Sequence, residues 1–140
     1  MTYVLDTDHV TLLHRGGVSS DRIRLKMRQA GSGNVVTTIV SYEESVRGWM
    51  AAMAAARTIT DIVRCYQRLR LNFDLYQQST LLDFDEPAAI QFQQLRARKL
   101  RIGTMDLRIA AIAIANSAVL VTRNAADFGK IAGLTIECWA

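Results

Sequence analysis

Thirteen acids are spread through the 140 residues, and five of them stand where an apolar run stops or a helix begins. Asp6 and Asp8 follow Tyr3-Val4-Leu5, and Glu44 opens the segment after the β-branched run 35–40. Asp106 heads the Ala/Ile-rich stretch 103–115, and Asp127 follows the apolar run 118–122. A carboxylate directly abutting a buried apolar run, as Asp6 does, needs a partner. In a parallel α/β sheet all these positions converge at the carboxyl ends of the strands, where open sheets bind ligands. Carboxylates gathered in one crevice raise one another's pKa values unless something cationic compensates. Arg108 and Arg123 are the cations nearest in sequence, yet neither adjoins all of the acids. Hard divalent cations, Mg²⁺ or Mn²⁺, are the natural compensators, because they take oxygen ligands and keep several waters. Such a site activates water and offsets charge on a phosphoryl oxygen, so the suggested reaction is phosphodiester hydrolysis.

Each acid alone also has a plainer reading. An acid in a first helical turn serves the helix dipole, which would suffice for Glu44 or Asp106. Asp127, ahead of Phe128-Gly129, could simply make a turn. Asp21, Asp61, Asp74, Asp83, Asp85, Glu86 and Glu137 read as caps, helix-surface charges or loop groups. His9 and His14 are five residues apart on one helix and do not share a face as metal ligands would, so they read as surface or core residues. Ser41 and Ser45 have no evident histidine–acid partners, and neither phosphate-loop nor dinucleotide glycine motif occurs.

Several elements must position these acids. Tyr3–Leu5 reads as a buried strand, followed by a short helix closed by Gly16-Gly17 and a basic amphipathic helix over 21–30. The run 35–40 is a second strand, and Ser41 caps a helix with Glu43 and Glu44 in its first turn. A second amphipathic segment reaches about Phe73 with Ile62, Tyr66, Leu69 and Phe73 on one face, making a helical hairpin that stands off the sheet. Residues 80–84 form a third strand, Asp85 caps the next helix, and Pro87 fits its first turn. Thr104 serves as N-cap for the buried helix that carries Asp106. Residues 118–122 and 134–137 supply a fourth strand and a fifth, short edge strand, with Asp127 in the polar loop between them. Strands alternating with helices argue α/β with a mostly parallel sheet. The length suits one domain over residues 1–140 with an ordinary core.

Seventeen Lys+Arg against thirteen acids give a net charge of +4. Only three of the cations are lysines, and arginine's planar fork suits phosphates and base edges. Cys65 and Cys138 match no metal spacing or disulfide framework, which suits a reducing cytosol. The amino-terminal residues show no signal peptide and residues 109–115 are too short to span a bilayer, so a cytoplasmic protein is expected.

The segments YVLDTDHVTLL, TTIVSYEESVRGW, RIGTMDLRIAAIAIA and VLVTRNAADFGKIAGLTIECW resemble the four acidic blocks of PIN-domain proteins, and most closely those of VapC-type toxins. The similarity covers essentially the whole chain. It implies a three-layer α/β/α fold with a sheet of four or five strands. Carried over by position, the family's acids are Asp6, Glu44, Asp106 and Asp127, as metal ligands and catalytic groups. Glu44 is preferred to Glu43 because the family's acid stands four residues before a glycine, here Gly48. Asp8 is secondary, Thr122 matches a hydroxyl that orders the cluster, and Arg123 and Asn124 complete its loop. The resemblance further implies a Mg²⁺- or Mn²⁺-dependent endoribonuclease acting on single-stranded or loop RNA, often tRNA. A homodimer and a VapB-like antitoxin that blocks the groove are implied with it.

Two other readings stay open. Asp6-Thr7-Asp8-His9-Val10 also fits the D-x-D-x-V nucleophile motif of haloacid-dehalogenase-type phosphatases, with Lys130 the only candidate for their lysine. A non-catalytic RNA-binding module, its acids holding a structural metal, is the other.

Overall fold

The computed structural model describes residues 1–140. Tyr3–Leu5 forms β1, the middle strand of a five-stranded sheet. On one side of it lie β2 (Val35–Thr38) and then β3 (Leu81–Leu82); on the other lie β4 (Val119–Val121) and then β5 (Ile136–Glu137). All four pairings are parallel, with Val4 opposite both Val36 and Leu120, and Leu5 opposite Val121. The chain builds outward from β1 to β3, then returns to the other flank for β4. The reversal falls between β1 and β4, where an open sheet leaves a crevice at its carboxyl edge.

Because side chains alternate across a strand, the register assigns them to two layers. Val4, Val36 and Leu120 share one face with α5 (Glu86–Ala97) and α6 (Thr104–Ala115), in a cluster that includes Ala88, Leu95, Ile109 and Ile112. Leu5 and Val121 share the opposite face with Val10 of α1 (Thr7–Arg15) and Ile23 of α2 (Val18–Ala30). Trp139 closes that second cluster. The result is the three-layer α/β/α arrangement expected from the sequence. Residues 109–113 of α6 are wholly buried, as the helix's Ala/Ile content predicts.

Several boundaries and faces differ from expectation; β3 and β5 keep only two residues each of the expected 80–84 and 134–137, and α2 begins at Val18 rather than at 21. The second strand stops at Thr38, because the Thr38 hydroxyl accepts from the Ser41 N–H at 3.0 Å and starts α3 (Ile39–Ala55). Ser41 is therefore not the cap, and Glu43 and Glu44 fall beyond the first turn. Thr104 is not a cap either: the Leu107 N–H bonds to the Gly103 carbonyl at 2.9 Å, so the helix begins one residue earlier than its hydroxyl suggested. Residues 125–128 coil into α7 (Ala125–Phe128) rather than a loop. Finally, α4 (Ile59–Gln77) turns Cys65, Asn72 and Tyr76 inward, leaving Tyr66 and Phe73 exposed. The hairpin itself forms as expected, with α3 and α4 joined by a three-residue connection, Ala56 to Thr58.

Candidate active site

Asp6 is the residue at which β1 becomes α1. Its backbone N–H bonds to the Val121 carbonyl of β4 at 3.0 Å, pinning it to the reversal point of the sheet. Its side chain is the N-cap of α1, with Oδ1 accepting from the His9 N–H at 2.8 Å. The same Oδ1 lies 3.1 Å from Nδ1 of the fully buried His9 ring. This is the partner that a carboxylate at the end of a buried strand requires.

A cleft of about 470 Å³ opens over this point, walled by Asp6, Thr7, Glu44, Asp106 and the Arg123–Asn124 turn. Glu44 reaches it from the second turn of α3, where Thr7 Oγ1 donates to Glu44 Oε1 at 2.6 Å. The dipole reading of Glu44 therefore falls away, since the first turn of α3 holds no acid. Its neighbour Glu43 pairs with Arg47 at 2.7 Å, one turn on along the exposed side of α3. Thr7, whose hydroxyl oxygen is 3.0 Å from that of Ser41, was not singled out by sequence.

Asp106 enters from the first turn of α6. Burial, followed by repulsion from Glu44, Asp6 and Asp127, pushes its carboxyl up to about 6. No cation figures among those influences. Arg108 is turned away, its guanidinium 5.6 Å from the centre of the Phe92 ring. Asp127 contributes to the field but is not on the cleft wall; it sits on α7, its Oδ2 accepting from Asn124 Nδ2 at 3.0 Å. Asn124 in turn caps α7, and the buried Thr122 hydroxyl accepts from the Asn124 N–H at 2.9 Å. A β-carbon on Gly129 would run into the Ala125 carbonyl, so the turn that ends α7 needs glycine there.

Asp8 stands at the rim. Arg123 grips both of its oxygens, Nε to Oδ2 at 2.7 Å and Nη2 to Oδ1 at 2.9 Å. Asp6, Asp8 and His9 do offer ligand atoms within 4.8 Å of one another. Yet Asp8 is already neutralised by Arg123, and both ring nitrogens of His9 are engaged. The carboxylates of Asp6, Glu44 and Asp106 line the same cleft and offer oxygen alone, the donor chemistry that a hard divalent cation takes.

The PIN-domain family profile matches residues 3–134. The chain belongs to the PIN-domain family. Within that family it resembles VapC-type toxins. It is 25% identical to the tRNA(fMet)-specific endonuclease VapC of Shigella flexneri over 144 aligned positions, covering 100% of this chain and 99% of that one. To the Salmonella typhimurium enzyme of the same name it is 41% identical over 63 residues, 42% of this chain and 48% of that one. Among solved structures, the DNA-bound VapBC of Salmonella typhimurium superposes with a TM-score of 0.78 at 23% identity, covering 100% of this chain and 99% of the other.

Proposed function

We propose that this PIN-domain protein is a metal-dependent endoribonuclease that cleaves single-stranded or loop RNA, tRNA included, as the toxin of a toxin–antitoxin pair. The observation that carries the reading is the cleft shared by Asp6, Glu44 and Asp106, with Asp127 close enough to act on Asp106 and with Lys130, 3.5 Å from Asp127, the one cation paired with any of the four outside the His9 ring. Asp6 and Asp106 would hold Mg²⁺ or Mn²⁺ most directly, with Glu44 and Asp127 beside them. A divalent cation there supplies activation of water and charge compensation at a phosphoryl oxygen. The protein's own groups supply orientation. Thr7 fixes Glu44, the Thr122–Asn124 turn fixes Asp127, and Arg123 screens Asp8 at the rim. The exposed Arg22, Arg24, Lys26 and Arg28 of α2 and the net charge of +4 favour a polyanionic substrate.

The names of the curated relatives, an endonuclease and a ribonuclease among them, support RNA as that substrate. Several of the solved neighbours are VapBC complexes, which supports a VapB-like antitoxin as partner. The phosphatase reading fares worse. It needs Asp8 as a free acid/base, whereas both Asp8 oxygens are held by Arg123.

The test is direct. Purified protein with Mg²⁺ or Mn²⁺ should cut a tRNA transcript internally, and Asp6→Asn or Asp106→Asn should abolish the cut. Both variants cutting at the wild-type rate would refute the assignment. Metal binding without cleavage of any RNA would favour a structural metal in a non-catalytic RNA-binding module.

A further inference from the structure

The His9 ring lies between the candidate site and the chain's last residues. It is 0% exposed, and each of its nitrogens has one partner. The Trp139 backbone N–H points at Nε2 from 3.3 Å, and Nδ1 faces Asp6 Oδ1 at 3.1 Å. A backbone N–H can only donate, so Nε2 must be the accepting nitrogen. Nδ1 then carries the ring proton and donates it to Asp6. Trp139 is itself fixed: it is buried, its ring lies 5.1 Å from that of Tyr3, and its Nε1 donates to Glu137 Oε2 at 2.8 Å.

The consequence for Asp6 is an asymmetry. Oδ1 accepts two hydrogen bonds, from the His9 N–H and from the His9 ring, while Oδ2 is left for the cleft. The backbone bond alone is the ordinary cap and would allow the carboxylate to pivot about Oδ1. The second bond, from the fully buried ring, opposes that rotation.

We propose that His9 is a positioning residue, whose Nδ1–H locks the Asp6 carboxylate with Oδ2 presented to the cleft, the ring's tautomer being set by the Trp139 N–H. The inference rests on the reading of Asp6 as a metal-binding carboxylate. Groups that orient a ligating side chain in this way are commonly worth about tenfold to a hundredfold in metal affinity or activity.

The two bonds can be separated by substitution, using the full-length chain. In His9→Asn the side-chain amide falls where Nδ1 stood, keeping the donor to Asp6 and losing the acceptor for Trp139. In His9→Gln the amide falls near Nε2, keeping the Trp139 side and losing the donor to Asp6. On a tRNA transcript, His9→Asn should hold kcat within about threefold of wild type, whereas His9→Gln should lose about tenfold or more with KM for RNA unchanged. The Mg²⁺ concentration giving half the rise in Tm should climb in His9→Gln and stay near wild type in His9→Asn. Equal kcat in both variants, or the reverse order, would overturn the proposal, and it would do so even if a bulkier change such as His9→Leu failed to fold.

The tautomer gives a readout independent of catalysis. The chain has only two histidines, so a ¹⁵N-histidine correlation spectrum with His14→Gln as the assignment control isolates the His9 ring. A protonated Nδ1 and bare Nε2, with the Nδ1 signal moved by Asp6→Asn, is the expected result; a protonated Nε2 overturns the proposal. If no RNA is cut while the Mg²⁺ response still separates the two variants, the ribonuclease reading fails and the role of His9 stands. If wild type neither cuts RNA nor responds to Mg²⁺, both fail.

Discussion

The Asp106 carboxyl has a pH signature that follows from where it sits. Held at about 6 against an ordinary 3.8, it binds its proton more tightly in the folded protein than in the unfolded chain. Its contribution to stability is therefore fully present below the unfolded value and is lost as pH rises through about 6. The metal-free protein should accordingly lose Tm between about pH 4 and pH 7, and Asp106→Asn should flatten that fall and melt higher than wild type at neutral pH. Mg²⁺ should restore the wild-type Tm at neutral pH, since it binds only the assembled cluster, and should do so less in Asp106→Asn. Thermal melts across pH with and without Mg²⁺ check this; parallel curves for the two proteins would show that Asp106 is not strained by its neighbours. Among individual residues the acids were readable from sequence because each stands near the end of an apolar run or the start of a helix. Their hydrogen-bonding partners were not. The hydroxyl of Thr7 meets Glu44 from 37 positions away, and the backbone of Trp139 meets the His9 ring from 130 away, so neither pairing leaves a local pattern. His9 alone left a trace: it sits three residues after the Asp6 cap, the spacing at which a side chain reaches back in a capping box.

At the level of elements, α6 is the part on which the proposed site depends most. Its 109–113 segment is fully buried between the sheet and α5, so no face is free to absorb a change of volume. Ile112→Ala should cost about 2–5 kcal/mol and Ile112→Val about 1, read from denaturant midpoints at constant slope. A loss below 1 kcal/mol for Ile112→Ala would mean that the helix is less tightly held than its burial indicates. This burial was legible, because Ala and Ile cover the helix all round. The element ends were not, because capping is decided by individual hydrogen bonds. The run VVTTIV has the β-branched content of a six-residue strand, yet a single hydroxyl-to-amide bond at Thr38 ends it after four and carries Ile39 and Val40 into α3. That shift is also what moves Glu44 out of the helix dipole and into the cleft. The inward face of α4 is illegible in sequence for a related reason. Its polar Asn72 lies inward against Ser45, while Tyr66, an aromatic expected in the core, points out.

At the scale of the whole molecule, the sheet order explains why four acids distant in sequence meet. Every strand runs the same way, and the chain reverses its direction of growth between β1 and β4. The carboxyl ends of the central strands therefore form one edge, which places the acids together. This ordering, and not the acids' local surroundings, is what gathers them; alternation of strand and helix was enough to anticipate a parallel sheet with acids at its strand ends, though not the order of its strands. The outer surface raises a different question. On α4, Ile59, Val63 and Tyr66 follow one another at helical spacing along an outward face, and they are 75%, 50% and 60% exposed. Apolar side chains aligned on one exposed stripe mark an interface more often than an isolated one does. The sequence resemblance implies a homodimer, and a second copy seated on this stripe would bury it. Light scattering at tens of micromolar should then give a dimer for wild type and a monomer for Val63→Asp. Because Val63 is half exposed, the variant should keep its fold and its far-ultraviolet spectrum. A wild-type monomer would remove the homodimer, and a Val63→Asp dimer would move its interface away from α4.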